Sequence, residues 1–120
     1  MNKIFFTILI VVIIAGLLFF IISGSINKKG QTILYYGNTC PHCKEVRDWM
    51  NKQQIDKKIT IIEKEVYDNP VNSLEMVQSA KKCGLPEKEI GVPFLYAGGK
   101  CYTGTPEVID YLSKQAGIKK

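Results

Sequence analysis

Nineteen consecutive residues, Ile4 to Ile22 (IFFTILIVVIIAGLLFFII), carry no charge and only Thr7 as a polar side chain. As a helix rising about 1.5 Å per residue, the run is roughly 28 Å long, close to the thickness of a bilayer's hydrocarbon. A helix packed into a soluble core is expected to show a polar stripe, and this run has none. Residues 1–23 therefore read as a transmembrane anchor or an uncleaved signal. A cleavable signal has an apolar core of only about 7–15 residues, which favours the retained anchor. The small residues Ser23-Gly24-Ser25 keep cleavage as the second reading. The amino terminus and Lys3 on one side nearly balance Lys28 and Lys29 on the other, so charge does not decide orientation.

Residues 24–31 are polar and glycine-containing and suit a linker. The remainder, 32–120, has room for one small domain with a modest core. Beyond residue 30, thirteen cations face eleven carboxylates, a net +2. That balance carries no nucleic-acid footprint. There are no internal repeats and no low-complexity tracts.

Along this domain, Thr32–Tyr36 (TILYY) is β-branched and aromatic and reads as a buried strand ending at Gly37-Asn38. From Pro41 the pattern is helical, with Val46, Trp49 and Met50 on one face and Thr39 or Cys40 at the start. Lys58–Val66 is a second strand. Asn69-Pro70 opens a second helix, whose face is expected to be Val71, Leu74, Val77 and Gln78 or Lys81. Val92–Tyr96 and Lys100–Thr103 form a hairpin around Gly98-Gly99, and Thr105-Pro106 caps a last helix carrying Val108, Ile109, Tyr111 and Leu112. The order is β-α-β-α-β-β-α. It implies an α/β fold: a four-stranded mixed sheet with helices on both faces, its first two strands parallel through a right-handed crossover.

Cys40-Pro41-His42-Cys43 lies where the first strand turns into the first helix. Positions i and i+3 of a helix are neighbours, so the two cysteines can form a disulfide within one turn. The unpaired N–H groups and partial positive charge of a helix start favour a thiolate, the form that attacks disulfides. Cys40, at the exposed start, is the expected nucleophile, and Cys43, one turn in, the expected resolving thiol. His42 can donate a hydrogen bond or a positive charge to the Cys40 thiolate. That stabilises the reduced form and makes the disulfide the stronger oxidant. Val92-Pro93 is the second element, because a proline near a strand start can shape a site where an extended substrate pairs with Val92.

Cys83 and Cys101 allow a structural disulfide or two buried free thiols, with a redox relay to the first pair as a further possibility for which no residue argues. A four-cysteine zinc site is disfavoured, because only one pair has the Cys-x-x-Cys spacing. No metal is expected.

The run ILYYGNTCPHC, followed about fifty residues later by GVPFLYAGGKCYTG and a final helix, resembles glutaredoxins and the wider thioredoxin fold. The likeness spans essentially residues 31–120. It implies a thioredoxin-like, glutaredoxin-type domain with Cys40 as nucleophile, Cys43 as its partner, and a cis proline at Pro93. Several positions by which glutaredoxins hold glutathione differ. Gly37-Asn38 stands where a lysine is usual, Gly91 replaces threonine before Val-Pro, and Tyr102 to Pro106 replace a glycine–aspartate stretch. The Cys-Pro-His-Cys run is similar to the motif of the DsbA disulfide oxidases, without the helical insertion of that family.

The expected activity is that of a membrane-tethered thiol–disulfide oxidoreductase acting on protein thiols or disulfides. Its domain is expected outside the cytoplasm (periplasmic or at the outer surface), as a monomer, with no cofactor beyond the Cys40–Cys43 disulfide. A membrane electron donor or acceptor is the expected partner. The alternatives are a cytoplasm-facing glutaredoxin-like reductase and a non-catalytic, zinc-stabilised binding module.

Overall fold

The structure, a computed structural model, describes residues 2–23 and 30–119. Its first element is helix α1 (Asn2–Ser23), long and apolar enough to cross a membrane, with none of its first eighteen residues buried against protein. Most of the expected linker, 24–29, lies outside the described residues. The chain re-emerges at Gly30, so close to Gly98 that a Cβ on residue 30 would come within 2.6 Å of the Gly98 Cα.

Four strands then form one sheet: β1 (Thr32–Tyr36), β2 (Ile61–Glu65), β3 (Phe94–Ala97) and β4 (Lys100–Thr103), in the order β2-β1-β3-β4. β1 pairs parallel with β2 and antiparallel with β3, and β3 pairs antiparallel with β4. Helices α2 (Pro41–Gln53), α3 (Pro70–Lys82) and α4 (Gly104–Gln115) complete the domain. Because strand side chains alternate between faces, each central strand serves two cores. Leu34, Leu95 and Ala97 turn toward α2 and α4, where Val46, Met50, Val108 and Leu112 close one cluster. Tyr35 and Phe94 turn the other way, onto Met76 and Ala80 of α3 and onto Val66. The sheet is thus covered on both faces, and β1 is clamped between the two layers.

The expected boundaries shift at several ends. The second strand begins at Ile61 rather than Lys58, because Ile55–Lys57 wind into a single 3-10 turn that buries Ile55 completely in the α2–α4 core. The third strand begins at Phe94, after Pro93, which has no N–H to donate to a ladder. The last helix starts at Gly104, with Thr103 rather than Thr105 in the capping position.

The largest difference concerns α3. Val71 and Leu74, expected on its buried face, are 71% and 60% exposed, and the buried residues are Met76, Ser79 and Ala80. A polar network sets this rotation. The Tyr35 hydroxyl, from the fully buried centre of β1, donates to Glu75 Oε1 at 2.8 Å and lies 3.4 Å from Ser79 Oγ. Lys64 Nζ also donates to the Glu75 carboxylate, at 2.6 and 2.7 Å. Burial pushes the Tyr35 phenol up to about 12, and the Lys64 ammonium holds Glu75 below the usual carboxylate range. An apolar periodicity scan assigns Ser79 and Glu75 to solvent, whereas they meet the hydroxyl of a buried tyrosine.

Asn69 caps α3, its Oδ1 accepting from the N–H groups of Val71 and Asn72, both at 3.1 Å. Asn69→Ala is expected to cost about 1 kcal/mol of stability. Denaturant unfolding should show a lower midpoint with an unchanged slope.

Candidate functional site

Cys40 is the N-cap of α2, with extended backbone (φ −85°, ψ 116°), and Pro41 follows in the first turn. The cap is a sulfur: Cys40 Sγ accepts from the N–H of Cys43 at 3.2 Å, one of the helix donors that have no partner within the helix. Both cysteines are free thiols. Cys43 is 1% exposed and Cys40 8%, so the expected nucleophile is less open than a helix start implies. Its sulfur lies 3.8 Å from the carbonyl oxygen of Val92, so the loop before β3 covers part of it.

Cys43 Sγ accepts from the Gly37 N–H at 3.5 Å. Burial, followed by the neighbouring Cys40, pushes its thiol up to about 12. The two sulfurs therefore differ in environment: one lies at the edge of the helix with a donor aimed at it, and the other is sealed beneath.

The Val92–Pro93 peptide bond is cis, and the Pro93 carbonyl accepts from Gly104 N–H at 2.9 Å, joining the loop to the start of α4. Pro41 and His42 are exposed. The His42 side chain is 75% exposed, with Nδ1 3.9 Å from Glu45 Oε2, while its backbone carbonyl accepts from the Thr105 hydroxyl at 3.4 Å. A groove of about 350 Å³ runs beside Cys40, lined by Gly37, Asn38, Lys44, Arg47 and Asp48. Lys44 pairs with Asp48, and Arg47 pairs with Glu63 while stacking 4.5 Å above the Tyr36 ring.

No family model and no curated protein matches the chain. Among solved structures it is similar to a buckwheat glutaredoxin–glutathione complex, at 15% identity and TM-score 0.51 over 75% of this chain and 83% of that one. It is also similar to oxidised glutaredoxin 2 from Chlamydomonas reinhardtii, at 20% identity and TM-score 0.47 over 75% and 85%. The fold is thioredoxin-like.

Within this thioredoxin-like frame, two residues that sequence patterning did not single out stand at the site. Glu65, the last residue of β2, accepts from the N–H of Tyr67 at 2.7 Å, of Asp68 at 2.9 Å and of Asn38 at 3.3 Å. Partial desolvation raises its carboxyl, but the N–H donors of Asp68, Tyr67 and Asn38 outweigh this and hold it below the usual range. Asn38 also bonds Asp68. These contacts tie the β2–α3 connection to the loop that carries Cys40.

Tyr67, fixed by that tie, lays its ring over Gly37. A Cβ on residue 37 would fall 2.3 Å from the ring, so a larger residue there would have to displace the tyrosine side chain. A tyrosine in a polar loop 27 residues from Cys40 has no periodicity to mark it. The glycine after the first strand was the only available signal.

Cys83 and Cys101 are bonded to each other, with Cα atoms 6.1 Å apart. The bridge joins the end of α3 to the edge strand β4. Two sulfurs so bonded offer no thiolates to a four-cysteine metal site, and among the described residues no cluster of three His, Cys, Asp or Glu could hold a metal.

Proposed function

We propose that this chain is a membrane-tethered thiol–disulfide oxidoreductase of protein thiols and disulfides, with its domain outside the cytoplasm. The observation that carries the reading is the asymmetric pair: Cys40 Sγ at a helix start with the Cys43 N–H aimed at it, and Cys43 buried one turn behind. In the reducing direction, the Cys40 thiolate attacks one sulfur of a substrate disulfide. That S–S bond breaks, and the other substrate sulfur leaves as a thiolate. Cys43, losing its proton, then attacks Cys40 Sγ, the mixed disulfide breaks, and the second substrate thiolate leaves. Two electrons have passed to the substrate and the protein holds a Cys40–Cys43 disulfide. Oxidation of a substrate dithiol is the same sequence reversed.

Val92 and Pro93, beside the sulfur, are the backbone on which an extended substrate would pair. No bound cofactor is required, since the dithiol itself carries the electrons. A membrane donor or acceptor then restores the starting state. The Cys83–Cys101 bridge favours an oxidising compartment, because structural disulfides are rare where glutathione and thioredoxin keep thiols reduced. Helix α1, as a membrane anchor, would hold the domain there as a monomer.

A reporter fused to the C-terminus, combined with alkylation trapping of Cys40 and Cys43 in cells, tests this. The expected result is an extracytoplasmic reporter and a pair that changes redox state with its partner. A cytoplasmic reporter with a fully reduced pair would instead support the glutaredoxin-like reductase.

His42 is proposed to bias the couple toward oxidation, as in a DsbA-like motif, acting through charge from its exposed position at the helix start. His42→Pro or His42→Gly is expected to make the pair more reducing, shifting the exchange equilibrium by a factor of up to about five, since exposed charges interact weakly. Equilibration in glutathione buffers measures this. An unmoved potential means the histidine is idle.

A further inference from the structure

We propose that Glu65 is a positioning residue for Cys40: its carboxylate fixes the Gly37–Asn38 peptide plane to which the Cys40 backbone is bonded, and so keeps the Cys40 sulfur in front of the Cys43 N–H. The inference rests on the thiol–disulfide reading and deepens it.

Two consecutive peptide planes join β1 to the reactive helix, and each is held at both ends. In the Tyr36–Gly37 plane, the Tyr36 carbonyl accepts from Val66 N–H at 2.9 Å, and the Gly37 N–H donates to Cys43 Sγ at 3.5 Å. In the Gly37–Asn38 plane, the Asn38 N–H donates to Glu65 Oε1 at 3.3 Å, and the Gly37 carbonyl accepts from Cys40 N–H at 3.2 Å. A peptide unit is rigid, so holding its N–H sets where its carbonyl points. Glu65 and Val66 thus grip one end of each plane, and the other ends meet the two cysteines. The grips differ in kind. Val66 holds through its backbone, which any side chain at 66 would preserve, whereas the hold on Asn38 depends on the side chain at 65. Gly37 lies between the planes, and with no Cβ its torsions are the least restricted of any residue. The second plane can therefore swing unless something outside the turn holds it.

Glu65 is built for that hold. Its Oε1 also accepts from Tyr67 N–H at 2.7 Å and its Oε2 from Asp68 N–H at 2.9 Å, so the carboxylate is itself fixed where Asn38 meets it. Desolvation works against its charge, and the N–H groups of Asp68, Tyr67 and Asn38 outweigh it, so near neutral pH the group is ionised and only accepts. The Asn38 side chain adds a second strap between the same loops by bonding Asp68. If the plane swings, the Cys40 N–H loses its partner and the capping conformation of Cys40 (φ −85°, ψ 116°) relaxes. Its sulfur then leaves the Cys43 N–H, now 3.2 Å away, the donor that meets the charge of the thiolate. Glu65 therefore acts on the attack of Cys40 on a substrate disulfide, and takes no part in the proton or electron transfers.

Two conservative variants separate placement from charge. Glu65→Asp keeps the charge and shortens the reach by one methylene; Glu65→Gln keeps the reach and one acceptor oxygen and loses the charge. In the full-length reduced protein at neutral pH, Glu65→Asp is expected to slow iodoacetamide alkylation of Cys40 roughly fivefold, the effect of one hydrogen bond, while Glu65→Gln stays within about twofold of wild type. Peptide mass mapping assigns the alkylated residue. A residue acting through its charge would give the reverse order, with Glu65→Gln moved and Glu65→Asp at the wild-type rate. A residue that merely braces the fold would lower the melting temperature of Glu65→Asp and leave alkylation of the folded protein unchanged. Either result overturns the proposal. Alkylation needs no turnover, so failure of the wild-type protein to exchange disulfides would sink the oxidoreductase reading while Glu65 is still judged on its own.

Discussion

Cys40→Ser is expected to reduce disulfide exchange to the uncatalysed rate, whereas Cys43→Ser is expected to accumulate a mixed disulfide with the substrate. The two outcomes differ because the two sulfurs are not interchangeable. Cys40 lies at the helix edge beside the groove, with one N–H pointing at it. Cys43 is 1% exposed, and burial together with its neighbour pushes its thiol up to about 12, so it cannot replace Cys40 as first attacker near neutral pH. Cys43 enters only once a mixed disulfide has brought an electrophilic sulfur to it. Insulin reduction followed by turbidity measures the loss in Cys40→Ser, and non-reducing electrophoresis detects the trapped adduct of Cys43→Ser. Residual exchange in Cys40→Ser at the wild-type rate would place the chemistry elsewhere.

Removing the second cysteine pair should be the most damaging change to stability that leaves the reactive site untouched. Cys83 and Cys101 are 18 residues apart in sequence, and the bridge restricts the unfolded chain more than it does the folded one. In the chain-entropy account a loop of this size contributes about 3 kcal/mol. For a domain of this length that corresponds to a fall in melting temperature on the order of 10–20 °C. The double variant Cys83→Ala/Cys101→Ala, compared with wild type by circular dichroism, should show that fall while Cys40 still exchanges. Equal melting temperatures would show that the bridge adds nothing to folding.

Much of this architecture was legible in the sequence, for reasons that differ from element to element. β1 and the hairpin declared themselves through dense β-branched and aromatic residues bounded by glycine. α2 and α4 declared themselves through apolar residues at helical spacing, because both pack on apolar layers: Val46 and Met50 in one, Val108 and Leu112 in the other. α3 misled because its seat is partly polar. Its orientation answers to Tyr35, Glu75 and Ser79, and hydrophobic periodicity is blind to a hydroxyl–carboxylate contact.

Spacing at a strand-to-helix junction marked Cys40 and Cys43 as neighbours, and a proline at a strand start marked Val92-Pro93; the structure brings the two elements side by side. The Cys83–Cys101 pairing was not legible, since whether two cysteines meet depends on where a helix end falls relative to an edge strand. Tyr67 was invisible for a similar reason. Its position comes from a carboxylate at the end of β2 holding the backbone of two loops at once, and such a contact leaves no repeating pattern.

The close packing of Gly30 on Gly98 fixes where the tether joins the domain. Gly30 precedes β1 and Cys40 follows it, so the attachment point and the reactive sulfur lie at opposite ends of a five-residue strand, roughly 16 Å apart along the strand. With α1 in a bilayer as proposed, the six linker residues ahead of Gly30 (24–29) could span at most about 22 Å. The domain is then leashed by its blunt end, and its working tip sweeps a shell whose depth is set by the leash. Disulfides lying flush with the lipid headgroups are hard for it to meet. Those carried on ectodomains standing clear of the membrane fall within its sweep.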